Sequence, residues 1–184
     1  MQAVDVEREL LVSQARAGDP EAWDRLFRRY QLPLYSYVYE LVRQEQTSLD
    51  IVQETFIAAV RHLSSLRDDN RFGSWLFGIA HQKCVQHWRR GSREQRLDEK
   101  SIEALPGGQE DPRELLIRAE QEDEFMQALA QLPAAQRAVL LLHFVEDFSL
   151  EEIASVTGVP LGTVKSRLHY AKKGLRDLLE ERSA

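Results

Sequence analysis

The stretch from Asp147 to Leu179, DFSLEEIASVTGVPLGTVKSRLHYAKKGLRDLL, constrains the fold of this chain more than any other. Ser149 and Glu152 form the S-x-x-E pattern of a capping box, in which each side chain meets the other residue's backbone N–H. Ile153, Ala154 and Val156 supply the buried side of the helix that follows. Gly158 stands where a left-handed residue stops a helix and turns the chain, and Pro160 suits the start of the next one. In that second helix Val164, Leu168, Ala171, Leu175 and Leu178 recur at helical spacing and make one apolar stripe. Gly162, Lys165, Ser166, His169 and Lys173 fall on the opposite side, small at the tip and basic along its length. Ala154, Gly158 and Val164 stand at offsets 0, +4 and +10, the spacing of a helix-turn-helix. A helical hairpin with a solvated basic face shares the triplet. The capping box and the Lys165–Lys173 face favour a helix shaped to enter a major groove.

The overall charge opposes that reading at first, because the chain carries a net −6. Its distribution restores it: bases concentrate in Arg71–Arg96 and Lys165–Arg176, and acids between Glu94 and Glu124. A free chain of this kind should bind DNA weakly, since its own acids partly cancel the attraction to phosphate. The 184 residues, 43% hydrophobic and 29% charged, predict one or two small domains of a soluble protein with a real core. No apolar run approaches the roughly 20 residues of a membrane span. The opening MQAVDVEREL has acids and no apolar core, unlike a secretory signal. A single cysteine, Cys84, excludes an internal disulfide framework and suits the cytoplasm.

Gly and Pro are sparse and no alternating run persists, so the fold class is all-α. A first helix is expected over Val6–Ala17, stopped at Gly18. Asp19 and Pro20 cap and open a second, with Ala22, Trp23, Leu26, Phe27 and Tyr30 on its core stripe. Pro33 is expected to interrupt it before Leu34–Arg43 continues. In Asp50–Leu63 the buried stripe reads Val52, Phe56, Ala59, Val60 and Leu63. The other side holds Asp50, Gln53, Glu54, Ile57 and Arg61, which by itself describes a solvated face, although an exposed Ile among polar groups can anchor a partner. A polar loop, RDDNRF, precedes a helix from about Gly73 to Arg90, and along this stretch and at its edges Phe72, Trp75, Phe77 and Trp88 interleave with Lys83, His87, Arg89, Arg90 and Arg93. Such interleaving suits unstacked bases and phosphates, though aromatics of this kind also serve as core. His81, Cys84 and His87 spread around that helix and no second ligand cluster exists, so no metal or other cofactor is expected. Residues 94–118 form an acidic, Pro/Gly-bearing linker between domains at 1–93 and 119–184. In the second, Val139–Phe144 is expected to be buried.

AGDPEAW (Ala17–Trp23), DIVQETF (Asp50–Phe56), FGSWLFGIAHQKCVQHWRR (Phe72–Arg90), LPAAQRAVLLL (Leu132–Leu142) and SLEEIASVTGVPLGTVKSRLHYAKKGL (Ser149–Leu175) occur in this order across essentially the whole chain. In this the chain resembles the extracytoplasmic-function (ECF, group 4) sigma factors of the sigma-70 family. The resemblance implies two small helical domains that join core RNA polymerase and read two promoter elements. It implies that Asp50, Gln53, Glu54 and Ile57 dock on the clamp helices of the largest polymerase subunit, and that the C-terminal domain meets the flap. Asp68, Asp69, Asn70, Arg71 and Phe72 would form the loop that pockets a flipped base of the −10 element. Lys83, His87, Trp88, Arg89 and Arg90 would hold the opened strands. In the last helix Lys165, Ser166 and His169 would read base edges of the −35 element, and Arg167, Lys172, Lys173 and Arg176 would touch phosphate. A spacer of about 16 bp spans roughly 55 Å, within the roughly 70 Å reach of the linker. An anti-sigma factor is the expected regulator, since little chain follows Leu179 to carry a fused sensor.

Thr47-Ser48-Leu49 stands where many members carry acids, Val60 where an aromatic is common, and Thr157 where Leu is common. Two other classes compete with this reading. A one-component regulator that binds DNA without polymerase needs a ligand pocket or a dimerisation helix, and neither is visible. An enzyme needs a nucleophile–base pair, a metal cluster or a phosphate loop, and Gly107-Gly108 lacks the Lys and Ser/Thr of the last. Replacing Lys165 or His169 by Ala is expected to change which −35 sequences are preferred, each good base contact being worth about 1–3 kcal/mol. The check is transcription from promoters permuted at the −35 element; equal weakening on every sequence would reassign those residues to phosphate.

Overall fold

Gly18, at φ 92°, ends the first helix and starts the architecture of the N-terminal half. The computed structural model describes residues 2–94 and 122–183, with side chains from 9–90 and 125–180. Eight α-helices and two short 3₁₀ turns make up the regular structure of these residues, and no strand occurs among them. The chain divides into two compact units, Met1–Gln86 with Ser155–Gly158 and His87–Ala154 with Val159–Ala184. Apart from Glu94, the linker expected over 94–118 lies outside the described residues.

In the first half, α1 (Gln2–Arg16) buries Leu11, Val12 and Ala15. Asp19 caps α2 (Pro20–Val42) by accepting from the Glu21 N–H at 2.9 Å, and Pro20 takes the first turn, where no N–H is needed. The helix then runs unbroken through Pro33, where the sequence predicts an interruption. An internal Pro costs about 3 kcal/mol. Tyr30 and Leu34 beside it, with Tyr37 and Val38 beyond, are all buried, and each such side chain returns roughly 1.5–3 kcal/mol. Core burial on both sides of Pro33 therefore outweighs the lost hydrogen bond. Arg43, at φ 57°, ends the helix and pairs with the buried Glu40.

α3 (Glu45–His62) buries Ser48, Ile51, Val52, Thr55, Phe56 and Ala59. Ser48 and Thr55 donate their hydroxyls to the Gln44 and Ile51 carbonyls at 2.7 Å, so neither is an unmatched polar group in the core. Val60, expected in the stripe, is 56% exposed. The buried arc is centred near Ala59 and turned toward Ile51 and Thr55, and Val60 lies about 100° from that centre, past Phe56 at the edge of the arc. 3₁₀ turns at Leu63–Ser65 and Asp69–Arg71 lead into α4 (Phe72–Glu94). Phe72, Leu76, Phe77, Ala80 and Cys84 of α4 are wholly buried. Burial pushes the Cys84 thiol up to about 12, which keeps it protonated. His81 is buried and shares a hydrogen bond with the Tyr37 hydroxyl, 2.8 Å from its Nδ1.

In the second half, α5 (Glu122–Gln131), α6 (Ala134–Phe144) and α8 (Leu161–Ser183) pack together, and α7 (Leu150–Thr157) leads into α8. Arg137 is buried and donates to the carbonyls of Ala130 at 2.7 Å and Leu132 at 3.1 Å, which have no partner inside α5. Ala138–Leu142 are buried, whereas Phe144 is half-buried at the end of α6. The capping box forms: the Ser149 N–H donates to Glu152 Oε2 at 2.9 Å and the Glu152 N–H to Ser149 Oγ at 3.2 Å. Gly158 adopts φ 68° and makes the turn. Val164, Leu168, Ala171 and Leu175 are buried along α8, and Leu178 is half-buried.

Between α6 and α7, burial and then the neighbouring Asp147 carboxylate push Glu146 from 4.5 up to about 7. The folded chain holds this proton more tightly than the unfolded one. The contribution of this group to stability is therefore greatest below about 4.5, falls as pH rises through about 7, and levels off above it. Glu146→Gln is expected to flatten that slope and to raise the thermal midpoint at pH 8. Calorimetry from pH 5 to 8 checks this; an unchanged slope would show that another group causes it.

Candidate nucleic-acid interface

The helix-turn-helix presents its basic residues from a rigid base, because Val164 and Leu168 bury the opposite side of α8. Lys165 and Ser166 are exposed, and His169, Lys172, Lys173 and Arg176 are half-buried. At 100° per residue, Lys165, His169, Lys172, Lys173 and Arg176 share an arc of about 100°. Arg167 does not: it lies about 200° from Lys165, on the other flank of the helix. Ser166 donates its hydroxyl to the Thr163 carbonyl at 3.0 Å, which leaves its oxygen free to accept. The His169 ring meets Tyr170 edge-on at 5.4 Å, which orients the imidazole.

The loop before α4 is held by hydrogen bonds rather than left to vary. Asp68 accepts from the Asn70 N–H at 3.1 Å and pairs with Arg71 at 3.5 Å. Asp69 pairs with Arg16, which also donates to the Leu66 carbonyl at 3.1 Å, and the Asn70 amide donates to Glu9. Arg16 and Glu9 lie more than 50 residues away in sequence, and no local pattern marks them as partners of the loop.

Phe72 is a correction to the sequence reading. Its side chain is 0% exposed, with ring centroids of Tyr30, Trp75 and Trp23 at 5.4, 5.9 and 6.4 Å. It therefore anchors the loop from below and cannot stack on a base. Phe77 is buried as well, at 5.3 Å from Tyr37. Of the interleaved aromatics, Trp75 and Trp88 keep partly accessible rings. Lys83 and His87 are half-buried and Arg89 and Arg90 exposed. His87 and Arg90 follow Lys83 by four and seven residues, on one side of α4.

Asp50, Gln53, Glu54 and Ile57 are all exposed on α3. Leu49 at 47%, Ile57 at 43% and Val60 at 56% exposure make an apolar strip beside Gln53 that the sequence reading only partly named. Gln46 donates to Asp50 at 3.1 Å. Glu54 accepts from Lys83 at 2.8 Å, which brings together two residues expected to serve different partners. Among the described residues no group of three or more His, Cys, Asp or Glu could hold a metal ion.

Residues 26–94 match the family model for sigma-70 region 2, and residues 122–175 match that for sigma-70 region 4. The RNA polymerase sigma-H factor of Pseudomonas aeruginosa is 34% identical over 183 residues, covering 93% of this chain and 95% of that protein. The ECF RNA polymerase sigma-E factor of Escherichia coli is 32% identical over 175 residues, covering 91% of each. The structure of CnrH in complex with the cytosolic domain of CnrY has a TM-score of 0.66 at 26% identity, covering 95% of this chain and 97% of that one. The sigma factor RpoE of Bartonella quintana, in complex with the anti-sigma factor NepR, has a TM-score of 0.63 at 25% identity, covering 85% and 97%. The chain belongs to the ECF sigma factors of the sigma-70 family.

Phe72→Ala is expected to cost about 3–5 kcal/mol of stability, read by urea denaturation. A variant of unchanged stability that bound promoter DNA poorly would return Phe72 to the interface.

Proposed function

We propose that this chain is the promoter-specificity subunit of a bacterial RNA polymerase holoenzyme. In this reading residues 1–93 bind core enzyme and open the −10 element, residues 94–118 link, and residues 119–184 read the −35 element. The observation that carries it is the order of the two sigma-region matches along one chain, backed by 34% identity to a sigma-H factor over nearly full length. Three features support the division of labour. The exposed apolar strip of α3, rimmed by Asp50, Gln53 and Glu54, suits docking on the polymerase clamp. The ordered loop and basic α4 suit unstacked −10 strands. The α8 arc from Lys165 to Arg176 suits the major groove at −35.

The net charge of −6 fits a protein whose DNA affinity is realised within holoenzyme. The role is one of binding rather than catalysis, in the cytoplasm and at the nucleoid with polymerase. Among the described residues no helix is long and apolar enough to cross a membrane. The RpoE–NepR complex supports an anti-sigma factor as the partner that withholds the chain from core enzyme.

Run-off transcription from a genomic promoter library, with core polymerase and the purified chain, tests the proposal. Initiation at a defined set of promoters is expected, and its loss in Ile57→Ser through weakened core binding, at unchanged circular dichroism. No stimulation at any promoter would refute it.

A further inference from the structure

The loop carrying four of the five proposed base-pocket residues is tied to α1 at several points. Arg16, the last residue of α1, donates Nη2 to the Leu66 carbonyl at 3.1 Å and Nη1 to Asp69 Oδ2 at 3.2 Å, while Nη2 also reaches Asp69 Oδ1. One guanidinium thus grips both oxygens of Asp69 and the chain three residues earlier. Two helical turns back on the same face, Glu9 accepts from the side-chain amide of Asn70. Between these two contacts α1 is fixed to the core by Leu11, Val12 and Ala15, all 4% exposed or less. On its other side the loop is anchored by the buried Phe72.

We propose that Arg16 is a positioning residue for −10 recognition: it sets the shape of the 66–71 loop and thereby its discrimination among bases, without touching DNA itself. The inference rests on the functional reading above. A planar guanidinium suits this task, since its fork holds a carboxylate in one orientation, which an ammonium does not. A paired Asp69 still has lone-pair capacity for a base amino group, because an ionised carboxylate offers about four acceptor sites. Pairing also offsets a negative charge that would otherwise face the phosphates of the opened strand. A loop ordered before DNA arrives loses less freedom on binding, and its groups stay close to the geometry that recognition requires.

The experiment uses holoenzyme carrying the wild-type chain, Arg16→Gln or Arg16→Lys, with promoter fragments permuted through all four bases at each −10 position. Arg16→Gln is expected to cut the preference between best and worst base about tenfold at one −10 position, with −35 preference unchanged. Arg16→Lys, which keeps charge and stem but loses the fork, should fall between the two. Uniform weakening on every sequence would overturn the proposal and make Arg16 a phosphate contact. If Arg16→Gln does not fold, Arg16→Lys decides, and wild-type discrimination in it would overturn the proposal.

Hydrogen exchange on the free protein gives a readout independent of polymerase. Faster exchange of the Asn70 and Arg71 amides in both variants is expected, and unchanged exchange would overturn the clamp. Should the wild-type chain initiate at no promoter, the functional reading fails and the role in base discrimination fails with it. Exchange then still reports whether Arg16 orders the loop.

Discussion

The burial of Phe72 is the constraint on which the N-terminal half depends. It is the first residue of α4 and the last of the loop, so its place among Trp23, Tyr30 and Trp75 sets where the loop ends and how the helix begins. The polar residues just before it must then lie at the surface, within reach of α1. A loop rooted in an aromatic core and tied to α1 has few ways to move, and its short polar side chains are held in place.

Electrostatics divides the work differently. Within the N-terminal half the charged loop residues are largely paired, Asp68 with Arg71 and Asp69 with Arg16, and outside the loop Lys83 of α4 pairs with Glu54 of α3. Such exposed pairs contribute little to stability, about 0–1 kcal/mol each. Their effect is to set which charges remain for an incoming polyanion. The Glu54–Lys83 pair, at 2.8 Å, also ties α3 to α4 through one weak, salt-sensitive contact.

The features legible in the sequence are those settled within a few residues. The capping box at Ser149 and Glu152, the left-handed turns at Gly18 and Gly158, and the Asp19-Pro20 helix start depend on near neighbours, and all form as expected. The outlines of the candidate site were equally legible, because Lys165, His169, Gln53 and Ile57 sit at helical spacings that place them outside the core. What the sequence did not disclose depends on distant partners. Pro33 stays helical because of what its flanking residues bury, and Val60 is exposed because the packing arc is turned toward Ile51. Phe72 reads as an aromatic among bases until Tyr30 is seen beside it. Arg16 carries no local mark at all, since its partner Asp69 is 53 residues away.

Cys84 gives the molecule an internal gauge. As the chain's one cysteine, wholly buried and held as a thiol by a pKa near 12, it reacts with a thiol reagent only when the surrounding helices part. The rate of its alkylation therefore measures how often the N-terminal half of the protein opens, in the unmodified chain and with any partner bound.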